Sequence, residues 1–320
     1  MRAVGKRQTD PGYGQGQVTL DLSDDVLLDE EALTQRLIET LASPAYRPPT
    51  LPSVATEILA LAQNPDAELH DIVALLEQDT MLTAQVLKLV RSPIYAGTAQ
   101  VRSLSDAVVR IGLNALRDVV LEVAMTLRVF RAPAYASTME RVRQHSIYVA
   151  HLARRVCRYT AIEGEYAFLC GLLHDVGVAG VLIALSEGRS GASPDLISIW
   201  PALDRAHAEA GTRMAALWNL PEEVQMVIGA HHQVLIGGYP HPLAATVCLA
   251  DALLHERKLG LVADDAGGSD RSAACLASHT EIDRSSERTL ATACEALALT
   301  ERQLTLVRDE LDDVLDSANG

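Results

Sequence analysis

The sequence predicts an all-α protein, and its composition and apolar spacing carry that prediction. Apolar residues make up 48% of the chain and aromatic residues 4%. With abundant Ala and Leu, this balance favours packed helices over a sheet sandwich. From residue 29 onward, apolar side chains recur at the three- and four-residue spacing of amphipathic helices, with Pro- and Gly-rich breaks between them. A chain of 320 residues can form one large domain or two lobes, and we expect a multi-helix bundle.

The charge and the cysteine content narrow the class of protein. The formal charge is −15, from 27 basic and 42 acidic residues, which argues against a broad nucleic-acid-binding surface. The five cysteines include no C-x-x-C pair and are expected to be reduced thiols. The first residues lead into a Gly-rich stretch and not an apolar one, and no uninterrupted apolar window approaches ~20 residues. We therefore expect a soluble, cytoplasmic protein without a membrane segment.

In the first half of the chain, helix boundaries follow from capping and breaking residues. A helix is predicted from Asp29 to Leu41, and another from Ser53. Asp79 and Ser103 have the side chains preferred at helix N-caps. The apolar run 113–130 contains Arg117, Asp118, Glu122 and Arg128, which predicts a buried helix of a soluble protein and not a membrane span.

In the second half, helices are predicted to carry most of the polar residues that could bind a ligand. One helix covers about 138–159, and another covers about 163–186. Three more carry His207, the pair His231-His232 and Asp251. The predicted parts of the chain are a flexible tail (1–26), an amino-terminal helical lobe (27–135), a second helical lobe (136–260), an acidic loop (261–280) and closing helices (281–320).

The pair His174-Asp175, within the segment GLLHDVG at residues 171–177, is the strongest chemical signal. An adjacent imidazole and carboxylate can contact two cations at once. A lone histidine on an apolar helix is usually a core or surface residue, but buried polar groups cluster only when something satisfies them. The further candidate ligands are His145, His207, His231, His232 and Asp251. The remaining histidines are interpreted as ordinary core or surface residues: His70, His151, His241, His255 and His279.

This ordered set of residues resembles the HD superfamily of metal-dependent phosphohydrolases over roughly residues 138–255. More narrowly, Leu51-Pro52, the segment 78–93 (QDTMLTAQVLKLVRSP) and residues 107–112 are similar to the opening of the HDOD family. The resemblance implies an amino-terminal helical lobe followed by an HD-like lobe. It also implies one or two divalent cations, with Fe, Mn and Mg as candidates.

The resemblance further implies a division of the ligands between two cations, with Asp175 as the bridge. The residues implied for the first cation are His145, His174, Asp175 and Asp251. Those implied for the second are Asp175, His207, His231 and His232. Two cations that share a carboxylate can lower the pKa of a water molecule and bind a phosphate, which is the basis of phosphate-ester hydrolysis without a protein nucleophile.

Several positions depart from the related patterns. The HD-GYP phosphodiesterases, which hydrolyse cyclic di-GMP, usually carry a lysine three residues after the Asp of the pair, where this chain has Val178. Gln233 stands where an acid is typical, and Arg91 and Thr80 replace the usual Asn and Pro of the HDOD opening. The nearest candidates for phosphate contacts are Arg143, Arg154, Arg155 and Arg213, which as helix-surface residues are also typical solvated side chains.

Two functions remain open from the sequence. The favoured one is a bacterial HDOD-type signal-transduction protein with a retained metal site. Its partner would be a signalling protein or a nucleotide second messenger, with no role for a membrane or nucleic acid. The alternative is an active metal-dependent phosphohydrolase or cyclic-nucleotide phosphodiesterase, in which Asp175 would be the catalytic metal bridge. The sequence contains neither a phosphate-binding glycine loop nor a nucleophilic Ser motif, so any hydrolysis would depend on the cations.

Overall fold

A computed structural model describes residues 29–43, 46, 48–51, 53–62, 69–95, 101–162, 164, 166–187, 194–261 and 287–319. Over these residues the predicted all-α fold is confirmed, and the strands found there are Leu235–Ile236 and Tyr239–Pro240, which form one antiparallel hairpin. The predicted tail (1–26) and residues 262–280 of the predicted acidic loop, including Cys275 and His279, lie outside the described residues.

The helices are numbered in chain order. Those of the first half are α1 (Glu30–Ala42), α2 (Ser53–Ala62), α3 (Leu69–Leu76), α4 (Thr80–Val90), α5 (Leu104–Ile111) and α6 (Leu113–Arg128). Those of the second half are α7 (Ala136–Val156), α8 (Ala167–Leu173), α9 (Val176–Glu187), α10 (Leu196–Leu217), α11 (Glu222–Gly229), α12 (Pro242–Glu256), α13 (287–296) and α14 (Glu301–Asn319).

A smaller core is formed by α2 to α6, with buried aliphatic side chains from each helix. The caps predicted for two of these helices are confirmed. Asp79 accepts a hydrogen bond from the backbone of Leu82. Ser103 and Asp106 form a reciprocal capping box at the start of α5. Because each cap satisfies backbone N–H groups that the helix leaves free, it defines where the helix begins.

The larger core joins α1 to the helices of the second half. Leu33, Leu37 and Leu41 of α1 are buried in it, and α1 packs against α10. The Trp218 indole donates to the carbonyl of Pro49 at 2.9 Å, so the segment after α1 is also attached to the end of α10.

A buried network of charged and polar groups connects α6 to α7. Asp118 accepts hydrogen bonds from Arg117 at 3.2 Å and from Arg154 at 3.0 Å. The buried ring of His151 lies 3.2 Å from the Glu122 carboxylate. Burial of these groups is tolerated because each has a partner of suitable charge or hydrogen-bonding capacity. The interpretation of the 113–130 run as a buried helix, and of His151 as a core residue, is therefore confirmed.

The carboxy-terminal helix α14 packs against α7. Glu310 accepts a hydrogen bond from the Tyr159 hydroxyl at 2.9 Å and pairs with Arg155 and Arg158. This helix therefore supports the back of the helix that carries His145.

The stretch Ala167–Ser186 is long and apolar enough to span a membrane, but 89% of it is buried inside the protein. Its side chains belong to the larger core, and this burial explains its apolar character.

Three helices end with a residue in the left-handed conformation without using glycine: Asn219, Lys258 and Ala298 have φ values of 53°, 58° and 50°. After Ala298 the Leu299 amide donates to the Cys294 carbonyl at 2.9 Å, which is the hydrogen bond of a Schellman motif. A non-glycine residue in this conformation is strained by its Cβ atom.

Replacing the exposed Ala298 with glycine should therefore stabilise the protein by about 0.5–1 kcal/mol, since relief of the strain exceeds the extra entropy of the unfolded chain. The measurement is the free energy of unfolding from urea titration. The matched control is Ala291→Gly, the same change at an exposed position inside α13, which should destabilise the protein by a similar amount. Equal destabilisation by both changes would contradict the strain at Ala298.

Candidate metal centre

His174 and Asp175 lie in a break between two helices. The prediction that one helix runs through residues 163–186 is wrong in this respect, because α8 ends at Leu173 and α9 begins at Val176. At the break, the Val178 amide donates to the Asp175 carbonyl at 3.0 Å, a three-residue turn in place of the four-residue helical pattern.

Two glycines of the GLLHDVG segment allow this break to lie close to two other helices. A Cβ atom on Gly171 would meet the backbone of Ala150 in α7 at 2.7 Å. A Cβ atom on Gly177 would overlap the His207 carbonyl oxygen in α10 and come within 2.6 Å of the Gly211 amide nitrogen. Glycine at both positions therefore brings the His174-Asp175 turn against the helices that carry His145 and His207.

One group of ligand atoms forms around His145. Its Nε2 atom lies 3.3 Å from His174 Nε2, 3.7 Å from Asp175 Oδ2 and 3.1 Å from Asp251 Oδ1. His174 Nε2 and Asp175 Oδ2 are 3.1 Å apart. The candidate ligand atoms of His145, His174 and Asp175 all lie within 4.8 Å of one another.

A second group forms around His207. Its Nε2 atom lies 3.1 Å from His231 Nε2 and 3.0 Å from His232 Nε2. These ligand atoms also lie within 4.8 Å of one another. The prediction that a helix carries His231 and His232 is wrong, because α11 ends at Gly229 and both residues lie in the turn that follows. The Cys248 thiol donates to the His231 carbonyl at 2.8 Å and so supports this turn from α12.

Asp175 faces both groups with different oxygen atoms. Oδ2 faces His145 and His174, whereas Oδ1 lies 3.5 Å from His207 Nε2 and 3.3 Å from His231 Nε2. The structure thus brings all seven candidate ligands together and places one oxygen of Asp175 beside each group.

Backbone carbonyls determine which nitrogen of the buried imidazoles carries the proton. In four histidines the Nδ1 atom lies within hydrogen-bonding distance of a carbonyl oxygen, which can only accept, so Nδ1 is the protonated atom. The contacts are His145 to Leu259 at 3.0 Å, His174 to Gly171 at 2.8 Å, His207 to Asp204 at 2.6 Å and His231 to Ile228 at 2.6 Å. Histidines that bind metal are usually oriented in this way.

The resulting arrangement fits bound cations. In the neutral rings the Nε2 atoms present lone pairs to one another at 3.0–3.3 Å, which is repulsive unless a proton or a cation lies between them. Asp251 Oδ1 is buried, and among the described residues it has no partner with hydrogen-bond geometry. Imidazole nitrogens together with carboxylate oxygens are ligands for divalent transition metals.

The charges of the first group favour bound positive charge. Burial lowers the pKa of His145, but Asp251 and Asp175 more than compensate and raise it above its usual value. The pKa of His174 is raised in the same way by Asp175, against burial. Burial also acts on Asp175, yet His174 and His231 hold the pKa of that carboxyl well below its usual range.

In the second group the imidazoles of His207 and His232 are held neutral. Burial lowers the pKa of His207 despite the nearby Asp175. Burial and the neighbouring His231 and His207 lower the pKa of His232 to about 3, although the residue as a whole is exposed. Neutral rings keep their lone pairs available for a metal.

One residue that sequence reasoning assigned to an ordinary role lies beside this cluster. His255 Nε2 is 3.4 Å from Asp251 Oδ1, and its ring centroid is 6.0 Å from that of His145. The four-residue spacing of Asp251 and His255 places both on one face of α12, a signal visible in the sequence. Two other histidines have the ordinary character that the sequence predicts. His241 caps α12, and His70 is an exposed surface residue.

The four arginines considered for phosphate contacts are paired with acids elsewhere. Arg154 binds Asp118 and stacks over Phe168 at 5.1 Å. The other pairs are Arg143 with Glu140, Arg155 with Glu310 and Arg213 with Glu209. The Val178 side chain, at the position of the HD-GYP lysine, is 1% exposed and belongs to the core.

Comparison with known proteins defines the family. The family model of the HDOD domain matches residues 48–234, which include α2 to α11 and six of the seven candidate ligands, all but Asp251. The chain belongs to the HDOD family. An uncharacterized protein of Treponema pallidum (strain Nichols) is 30% identical over 240 residues, covering 70% of this chain and 45% of the relative. The chain therefore spans less than half the length of that relative.

Solved structures share the fold. A protein of Shewanella amazonensis SB2B, whose name proposes a metal-dependent phosphohydrolase, has a TM-score of 0.66 at 20% identity, with 90% of this chain and 98% of that chain covered. An HDOD domain protein of unknown function from Geobacter sulfurreducens has a TM-score of 0.58 at 24% identity, covering 89% and 99%. A protein of Marinobacter aquaeolei VT8, whose name proposes signal transduction, has a TM-score of 0.51 at 21% identity, covering 92% and 68%.

The substitution Gly177→Ala should destabilise the protein by roughly 3 kcal/mol and weaken divalent-metal binding, because the new methyl group meets the backbone of α10 and displaces His207. The control is Gly180→Ala in the same helix, whose Cβ would meet the flexible side chain of Met214 and should cost less. Unfolding titrations and metal-binding isotherms measure both effects. If the two substitutions destabilise the protein equally, the close approach of Gly177 to α10 does not have this role.

Divalent cations should stabilise the folded chain through Asp175. At a free Mn²⁺ concentration of about 100 times the dissociation constant, the expected gain is roughly 2.7 kcal/mol, seen as a rise in melting temperature. Asp175→Asn should remove most of this rise, whereas Asp309→Asn, on the exposed face of α14, should retain it. If both variants keep the full rise, the cations bind outside the centre.

Proposed function

We propose that this HDOD protein binds two divalent cations at the centre around Asp175 and uses them to hydrolyse a phosphate ester. The observation that carries the proposal is the placement of the two Asp175 oxygens, one toward His145 and His174 and the other toward His207 and His231. A carboxylate that faces two groups of metal-binding nitrogens is suited to bridge two cations.

Each side chain has a role in this proposal. The first cation would be held by His145, His174, Asp175 and Asp251, and the second by Asp175, His207, His231 and His232. Five imidazoles favour Mn²⁺ or Fe²⁺ over Mg²⁺, which prefers oxygen ligands. When bound, two such cations neutralise phosphate charge and make water a better nucleophile near neutral pH. The carbonyls at Nδ1 keep the rings in the orientation that this binding requires.

The exposure of the ligands indicates where a substrate would enter. His145, His174, His207 and His231 are all buried, whereas His232 is exposed. Asp251 is also more accessible than Asp175, with side-chain exposures of 15% and 7%. We infer that a phosphate group approaches past His232 and Asp251, and that substrate charge is met chiefly by the cations, since the arginines considered above are paired elsewhere.

Signal transduction without turnover is the second candidate. It is favoured by the buried Val178, which leaves no cationic side chain at the position where HD-GYP phosphodiesterases usually have lysine. In that case the metal centre would stabilise a module that binds a signalling protein or a nucleotide second messenger. The cytoplasmic location expected from the sequence stays a prediction in both cases.

The purified protein, residues 1–320, loaded with Mn²⁺ or Fe²⁺ should hydrolyse at least one of four probes: cyclic di-GMP, cyclic AMP, (p)ppGpp or an aryl phosphate. Asp175→Asn should reduce the rate by at least about a hundredfold, because loss of a bridging ligand affects both cations. Asp309→Asn is the matched control and should leave the rate unchanged.

Chromatographic product analysis and metal content are measured on the same samples. Two bound ions per chain with all four probes intact would reject hydrolysis of these substrates and favour the second candidate. Fewer than one bound ion per chain after loading would reject the metal centre itself. Turnover that persists in Asp175→Asn would assign the activity to a contaminant or to another site.

A further inference from the structure

We propose that His255 is an additional ligand of the first cation, beside Asp251. This inference rests on the proposed metal centre and extends it by one donor. The assignment gives the first cation three imidazoles, from His145, His174 and His255, together with two carboxylates. It also places a metal ligand at the accessible edge of the centre, where a substrate would enter.

The distances around Asp251 Oδ1 carry the proposal. This oxygen is 3.1 Å from His145 Nε2 and 3.4 Å from His255 Nε2, and neither contact has hydrogen-bond geometry. Two ligand atoms at ~2.1 Å from one cation and ~90–110° apart are separated by about 3.0–3.4 Å. Each of these two distances from Asp251 Oδ1 is therefore that of neighbouring ligands around one ion.

The turn after α12 holds His255 and His145 in place together. Lys258 adopts φ 58°, and the Leu259 amide donates to the Leu254 carbonyl at 3.0 Å, which closes a Schellman motif. The carbonyl of Leu259 in turn accepts from His145 Nδ1. One local structure thus orients the imidazole of a proposed ligand and ends the helix that carries His255.

Gly260 completes this arrangement by making room for the His255 ring. A Cβ atom at this position would overlap the Cε1 and Nδ1 atoms of the ring. The ring therefore packs directly on the glycine backbone, with its Nε2 atom toward Asp251. The His255 side chain is 32% exposed, so it lies at the rim of the centre.

The alternative is that His255 acts on Asp251 and is not itself a metal ligand, and the test has to distinguish these two roles. His255 could donate a hydrogen bond to Asp251 and orient it without touching the cation. His255→Gln distinguishes the two, because the glutamine amide can still donate to Asp251 but offers no imidazole nitrogen. Gly260→Ala provides an independent variant that keeps the imidazole and displaces it.

The first experiment is a crystal structure of the Mn²⁺-loaded protein, residues 1–320, with anomalous scattering data. The expected result is an anomalous peak about 2.0–2.4 Å from His255 Nε2. A peak bound by His145 and Asp251 but more than ~3 Å from His255 would overturn the proposal and leave the metal centre intact.

The second experiment measures Mn²⁺ affinity by chelator competition. His255→Gln and Gly260→Ala should each weaken the binding of one ion by about tenfold, and Asp251→Asn should weaken the same ion at least as much. His70→Gln, at the exposed histidine of α3, is the control and should have no effect. Circular dichroism confirms that each variant is folded.

The outcomes test the metal centre and the role of His255 separately. Loss of affinity in Asp251→Asn with wild-type affinity in His255→Gln rejects the role of His255 alone. Wild-type protein that binds no Mn²⁺ rejects the metal centre and this inference with it. Wild-type affinity in His255→Gln together with reduced affinity in Gly260→Ala also rejects direct ligation. That result would assign to His255 only a hydrogen bond to Asp251.

Discussion

The close approach of the His174-Asp175 turn to α7 and α10 is the constraint on which the candidate centre depends. Gly171 lies against the backbone of Ala150, and Gly177 lies against the carbonyl of His207. Any side chain at these two positions would separate the helices and with them the imidazoles they carry. The break between α8 and α9 then lets His174 and Asp175 project from a turn into the space between α7 and α10.

Electrostatics follows from this packing. Once the helices are close, backbone carbonyls accept hydrogen bonds from the Nδ1–H groups of four histidines. The Nε2 lone pairs are then left facing one another. Such an arrangement stores repulsion in a buried site, and either protons or cations relieve it. The two carboxylates, Asp175 and Asp251, supply negative charge that favours bound positive charge at this site. The same geometry that satisfies the backbone therefore prepares the centre for metal.

Binding and catalysis place different demands on this site, and the structure meets them unequally. The demands of binding are met by convergent imidazoles, a central carboxylate and oriented rings. Catalysis on a phosphate also benefits from protein cations near the leaving or bridging oxygens. Val178 is in the core, and Arg154 and Arg155 hold other helices together through Asp118 and Glu310. Turnover would therefore rely on the cations to an unusual degree, and a regulatory role remains the competing explanation.

The sequence by itself determined the all-α class, the caps at Asp79 and Ser103, and the seven residues that meet at the centre. These features are local, or are carried by residue types in a recognisable order. Only the tertiary structure decided that the His174-Asp175 helix is broken, that Asp175 faces both imidazole groups, and that His255 lies beside Asp251 and His145. Helical periodicity cannot reveal a two-residue break within an apolar run, because the core on both sides demands the same side chains. The place of His255 depends on the turn at Lys258 and on contact with Gly260, and such contacts exist only once the chain has folded.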